Sequence, residues 1–178
     1  GNDLAFDIEK AKSKVNEELA NNFGNLISRA VKLSAQTFDG TTPPPTSTME
    51  STKVLAKSAI RVGIDVYERI NRLDVEGAVG AVVELLNLTN KYFGDHAPWS
   101  LVKEGKTREA GEVLYSALES VRIASVLLSP VMPKTTERIL RIVCPDLDQP
   151  KMSDALQWGL VKGGTPLDKN LKPVFARL

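Results

Sequence analysis

Two short stretches carry side chains that could recognise a ligand. In NNFGNLISRAVK, residues 21–32, Asn25 and Arg29 stand four residues apart. On a helix that spacing brings two side chains to one point in space. The asparagine amide offers a donor and an acceptor, and the guanidinium offers a rigid fork of donors. Together they suit the hydrogen-bonding edge of a base, or a phosphate. They equally suit the polar border of an amphipathic helix, with Arg29 paired to a carboxylate on the second or third helix. In APWSLVKEGK, residues 97–106, Trp99 stands at the rim of a polar run. It is either a packing anchor, as most tryptophans are, or a flat platform on which an unstacked base can lie. Lys103, Lys106 and Arg108 follow it, and Lys32 shares the flank of Asn25 and Arg29. These four cations are candidate phosphate contacts, or simply a solvated face.

Other chemistries are poorly supplied. The 178 residues hold one histidine, His96, and one cysteine, Cys144. That excludes an HExxH metal site, a Cys-rich zinc site and an internal disulfide. No GxxxxGK[ST] or GxGxxG phosphate loop occurs. A net charge of +1 gives no global positive field, so any RNA contact must rest on a local site. The segment GNDLAFDIEK has neither signal-peptide nor transit-peptide character. No apolar run approaches the ~20 residues of a membrane span. A cytoplasmic setting fits the cysteine usage.

The elements that must position these residues read as helices. Val15, Leu19, Phe23, Leu26, Ala30 and Leu33 form one apolar stripe, which makes the first third of the chain a long helix. Gly24 inside it costs roughly 1 kcal/mol relative to Ala, and packing against another helix is the plain reason to keep it. The cluster FDGTTPPPTSTME is a loop, stiffened by Pro43, Pro44 and Pro45. A second stripe runs through Leu55, Ala59, Val62, Val66 and Ile70. A third, with Asp74 as its N-cap, carries Ala78, Val82, Leu85, Leu86, Thr89 and Phe93 and ends at Gly94. Pro98 suits a first helical position. Thr107 caps a fourth helix that presents Ala110, Leu114, Ala117, Val121, Ala124 and Leu128 inward. Pro133 opens a fifth through Ile139, Leu140 and Val143. The expected class is all-α, a bundle of about five helices over residues 1–144. Residues 145–178 read as an irregular C-terminal extension packed on it, with a small hairpin at Lys162-Gly163-Gly164.

The ordered combination of LANNFGNLISR, NKYFGDHAPWSLVK, SVLLSPVMPKTTERIL and QWGL resembles the C-terminal anticodon-binding domain of methionyl-tRNA synthetase, a class I aminoacyl-tRNA synthetase. The resemblance spans essentially the whole chain. It implies recognition of the CAU anticodon of methionine tRNA. Asn25 and Arg29 would read the wobble cytosine, and Trp99 would stack on an anticodon base beside Pro98. It also implies a catalytic domain on the same polypeptide that uses ATP and magnesium to join methionine to tRNA. This chain would hold no cofactor and be inactive alone. HIGH is absent, and the KMS at Lys151–Ser153 follows the bundle where the family motif precedes it. The expectation is a piece of a longer synthetase. Two alternatives keep the helical fold: a protein-interaction module with Trp99 as its hot-spot anchor, and the anticodon domain of another class I synthetase.

Overall fold

The structure, a computed structural model, describes residues 22–168, 170–172 and 174–175. GNDLAFDIEK, Val15 and Leu19 lie outside the described residues. Among the described residues the architecture is an all-α bundle of five long helices and one short one. They are α1 Gly24–Thr37, α2 Glu50–Asn71, α3 Val75–His96, α4 Pro98–Lys103, α5 Thr107–Leu128 and α6 Pro133–Val143, followed by a 3-10 helix Met152–Leu156. None of these helices is long and apolar enough to cross a membrane.

The axis of the bundle is α5. It packs against α1, α2, α3, α4, α6 and the 3-10 helix. Every residue from Ala110 to Leu128 is buried, so past its exposed first turn the helix has no solvent face. The apolar stripe read from the sequence is only part of its buried surface. Glu112, Ser116, Glu119, Ser120, Arg122 and Ser125 are interior as well. Buried polar groups must find partners, and here most of them do. The Glu112 carboxylate accepts from Thr48 N at 2.8 Å, Thr48 Oγ1 at 2.5 Å and Met49 N at 2.7 Å, immediately ahead of α2. The first turn of α2 is therefore anchored by a carboxylate from α5, consistent with the preference of helix N-termini for negative charge.

Arg122 ties the extension to the bundle. Its Nε and Nη2 donate to Glu119 Oε2 at 2.9 and 2.7 Å. Its Nη1 donates to Asp154 O at 2.7 Å, and its Nη2 also donates to Gln157 O at 2.5 Å. Val161 N donates to Glu119 Oε1, while Tyr115 Oη donates to Val161 O at 2.9 Å. Both side chains of the Glu119–Arg122 pair are 0% exposed. The backbone of residues 154–161 thus takes the hydrogen bonds that water would otherwise supply.

Several local expectations change. Gly94 does not end α3. The helix runs on to His96 and is closed by Ala97, at φ +41°. Thr107 opens α5, but Lys106 occupies the cap position and no side chain caps it. Gly24 is the first residue of α1 but follows helical backbone at Asn22 and Phe23, and the group that needs its space is not another helix. A Cβ there would lie 3.1 Å from Phe175 Cδ2 of the extension. The turn at Gly163-Gly164 does not fold the extension into its own hairpin. Thr41 and Pro166 form an isolated antiparallel bridge. It is flanked by Thr42 N donating to Thr165 O at 2.8 Å and Gly164 N donating to Thr42 O at 3.0 Å. The extension pairs with the loop after α1. Asp74, by contrast, caps α3 as the sequence predicts, accepting from Gly77 N at 2.9 Å.

Candidate functional site

Arg29 and Trp99 meet at the junction of α1, α3 and α4. The polar flank of α1 is exposed throughout, at Asn25, Arg29, Lys32 and Gln36, while Leu26 and Ala30 behind it are buried. Arg29 reaches from that flank toward the end of α3. Its Cζ lies 4.9 Å from the centroid of the Trp99 ring and 5.0 Å from that of Phe93. The two rings are tilted at 51°, with centroids 6.0 Å apart. A guanidinium over aromatic faces is attracted by their quadrupoles and stays free to donate in its own plane. Among the described residues Arg29 forms no ion pair. The carboxylate partner that a structural border would use is therefore missing from this set.

The backbone at the α3–α4 junction explains the position of Trp99. Pro98 disfavours the helical region for the residue before it, so α3 must stop at Ala97. There the chain adopts a left-handed conformation, which costs roughly 1–2 kcal/mol for a residue with a Cβ. Ala97 closes both helices. Its N–H donates to Phe93 O at 3.2 Å, and its carbonyl accepts from Ser100 N at 2.8 Å. Pro98 is the buried first residue of α4. The reversal brings Trp99 back beside Phe93, leaving the residue 37% exposed. Trp99 therefore has both an anchored edge and an open part.

The remaining candidates are distributed unevenly. Lys32, Lys103 and Arg108 are exposed. Lys106 is exposed too, but its ammonium lies 2.7 Å from the Glu104 carboxylate. Asp95, near the same junction, is held by Lys91 at 2.7 Å. The acidic groups closest in sequence to Trp99 are thus already paired. Sequence reasoning placed Phe93 only in the core and missed its contact with Arg29. It also missed a small amide cluster one turn before the site. Asn22 Nδ2 donates to Asn87 Oδ1 at 3.3 Å, and Asn90 Nδ2 donates to Asn22 O at 3.4 Å. The available signal was the three-residue spacing of Asn87, Asn90 and Phe93, which puts them along one side of α3. Among the described residues no group of histidine, cysteine or acidic side chains is arranged to hold a metal. Cys144, the free thiol, is buried, and burial pushes its ionisation up, as for an inert core thiol.

Comparison with known proteins bears on this geometry. Residues 43–168 match the family model described as the anticodon binding domain of methionyl tRNA ligase. A methionine–tRNA ligase of Caldanaerobacter subterraneus is 34% identical over 93% of the chain, which spans 26% of that protein. One from Clostridium acetobutylicum is 32% identical over the whole chain, which spans 27% of it. Among solved structures, Mycobacterium tuberculosis methionyl-tRNA synthetase in complex with methionyl-adenylate superposes with a TM-score of 0.83 at 29% identity. That match covers 93% of this chain and 32% of the synthetase. The chain therefore spans about a quarter to a third of the relatives it matches.

Proposed function

The chain belongs to the family of anticodon-binding domains of methionyl-tRNA ligase, and from that premise we propose that it reads the CAU anticodon of methionine tRNA. In this reading it is one part of a longer polypeptide, whose catalytic domain uses ATP and magnesium to attach methionine to that tRNA. The observation that carries the assignment is Arg29, lying over two aromatic rings with no carboxylate partner among the described residues.

The recognition follows from the arrangement. An anticodon base stacks on the open part of Trp99, an interaction worth roughly 1–3 kcal/mol per base. Its edge then faces Asn25 and Arg29. Cytosine presents acceptors to the guanidinium and the amide N–H, and an amino donor to the amide oxygen. A base with the wrong donor pattern leaves these groups unpaired after they have lost water, at about 1–3 kcal/mol each. Lys32, Lys103 and Arg108 meet backbone phosphates without reading sequence. The contacts with Phe93 and Trp99 hold the guanidinium before RNA arrives, which lowers the ordering cost of binding. Asn25, Arg29 and Lys103 are all polar and exposed. That favours RNA over a protein hot spot, which would need an apolar surround.

The test is binding of the chain to CAU and GAU anticodon stem-loops at one fixed salt concentration. Preference for CAU, lost in Asn25→Ala and in Arg29→Ala, is the expected result. Equal binding to both loops would reduce the site to nonspecific charge contact and overturn the reading.

A further inference from the structure

Phe93 lies on the buried stripe of α3, and by that pattern alone it is a core residue. Its surroundings give it a second role. The ring is 0% exposed, yet it touches both exposed members of the site. Arg29 Cζ, the Phe93 centroid and the Trp99 centroid form a closed triangle with sides of 5.0, 6.0 and 4.9 Å. Arg29 belongs to α1, while Trp99 belongs to a six-residue helix that follows a left-handed residue. Phe93 is the fixed member of the three, fully buried near the end of a 22-residue helix.

We propose that Phe93 is a specificity-determining positioning residue, setting the separation of Arg29 and Trp99 without touching RNA itself. This rests on the anticodon reading above. The chemistry requires an aromatic ring at this position. A guanidinium is drawn to the negative face of a ring, and two rings hold each other at a preferred tilt. An aliphatic side chain of similar bulk fills the space but offers neither interaction. Arg29 would then keep one aromatic contact instead of two, and the indole would lose the neighbour that fixes its angle. Phosphate contacts from Lys32 and Lys103 do not depend on this triangle. Its loss therefore lowers base discrimination more than total affinity.

The experiment uses the two tryptophans of the chain. Trp158 Nε1 is buried without a hydrogen-bond partner among the described residues, so Trp158→Phe removes no bond within them and leaves Trp99 as the sole indole emitter. In that background, Phe93→Leu is expected to shift Trp99 emission and cut the CAU-over-GAU preference by about tenfold, the scale of aromatic and cation–ring contacts. Val82→Ala, a core truncation elsewhere on α3, supplies a matched loss of thermal stability and should leave the preference intact. The proposal is overturned if Phe93→Leu keeps the full preference, or if Val82→Ala loses it to the same degree. Should Phe93→Leu fail to fold, Phe93→Met carries the same expectation with a less branched side chain. Arg29→Ala separates the two levels. If it abolishes the preference while Phe93→Leu does not, only this inference fails. If Arg29→Ala also retains the preference, the anticodon reading fails with it.

Discussion

Two arginines in this molecule lie in opposite surroundings. Arg122, on the central helix, is 0% exposed, and its donors go to Glu119 and to two backbone carbonyls. Arg29, on the first helix, is exposed and lies over Phe93 and Trp99 without an ion-pair partner among the described residues. Both guanidiniums are held in place, but among the described residues only that of Arg29 has no hydrogen-bond or ion-pair partner. The difference separates an arginine that maintains the fold from one that the anticodon reading proposed above assigns to a base. The bonds already made matter more than charge, which is the same in both.

The contrast can be broken most forcefully at the buried end. Arg122→Met should destabilise the fold by about 3–5 kcal/mol, because it leaves Glu119 charged and unpaired in the interior. Pairing it with Glu119→Leu should recover much of that loss, as apolar replacement of a whole buried pair often does. Urea unfolding of the single and double variants measures both. A double variant no more stable than the single one would mean that backbone anchoring, rather than the charge pair, dominates.

At the open end the signs reverse. Arg29→Ala should weaken CAU stem-loop binding by about 1.5–3 kcal/mol, the range for hydrogen bonds to a charged group, with stability changed by no more than about 0.5 kcal/mol. Trp99→Ala should lower affinity by about 1–3 kcal/mol while leaving helical circular dichroism intact. Titration calorimetry and thermal melts read the two quantities separately. If Trp99→Ala melts the bundle, the indole is a core anchor and the contrast collapses at that residue.

Glu112 extends the comparison to an anion. Burial pushes its carboxyl up, but the donors from Thr48, Met49 and Thr52 outweigh burial and leave it below the usual carboxylate range. A lowered folded value means its contribution is fully present above the unfolded carboxylate pKa and is lost as pH falls through the folded value. Glu112→Gln should cost about 1–3 kcal/mol near neutral pH and flatten the acid limb of stability against pH. The smallest effect belongs to Lys32. Its removal should weaken every stem-loop alike and reduce the slope of log affinity against log salt by about 0.7, one phosphate's worth for a single strand.

How far the sequence could be read depended on what each residue's neighbours were. Leu26, Ala30 and the stripe of α3 are set by period alone, and the Asp74 cap is a contact between residues three apart. Those features are legible because the information is local. Ala97 was not, because glycine is the usual residue in that conformation and the constraint comes from Pro98 acting backward. The buried polar ring of α5 was invisible for a different reason. Glu119 and Arg122 lie off the apolar stripe of that helix, and nothing local announces their partners Asp154, Gln157 and Val161. The Gly163-Gly164 turn was legible as a turn, but its pairing partner stood more than a hundred residues away at Thr42. Asn25, Arg29, Lys32 and Trp99 were singled out by residue type and spacing. Phe93, the ring beside Arg29 and Trp99, was hidden inside an ordinary apolar stripe.

The grip of Arg122 on the extension also sets the order in which the chain can finish folding during synthesis. Asp154 and Gln157, whose carbonyls it needs, lie 32 and 35 residues downstream. At about 5–20 residues per second, a growing chain carries Arg122 for roughly 2–7 s before those carbonyls exist. Throughout that interval the polar side of α5 must stay hydrated, so the helix that ends as the centre of the bundle is among the last to become dry.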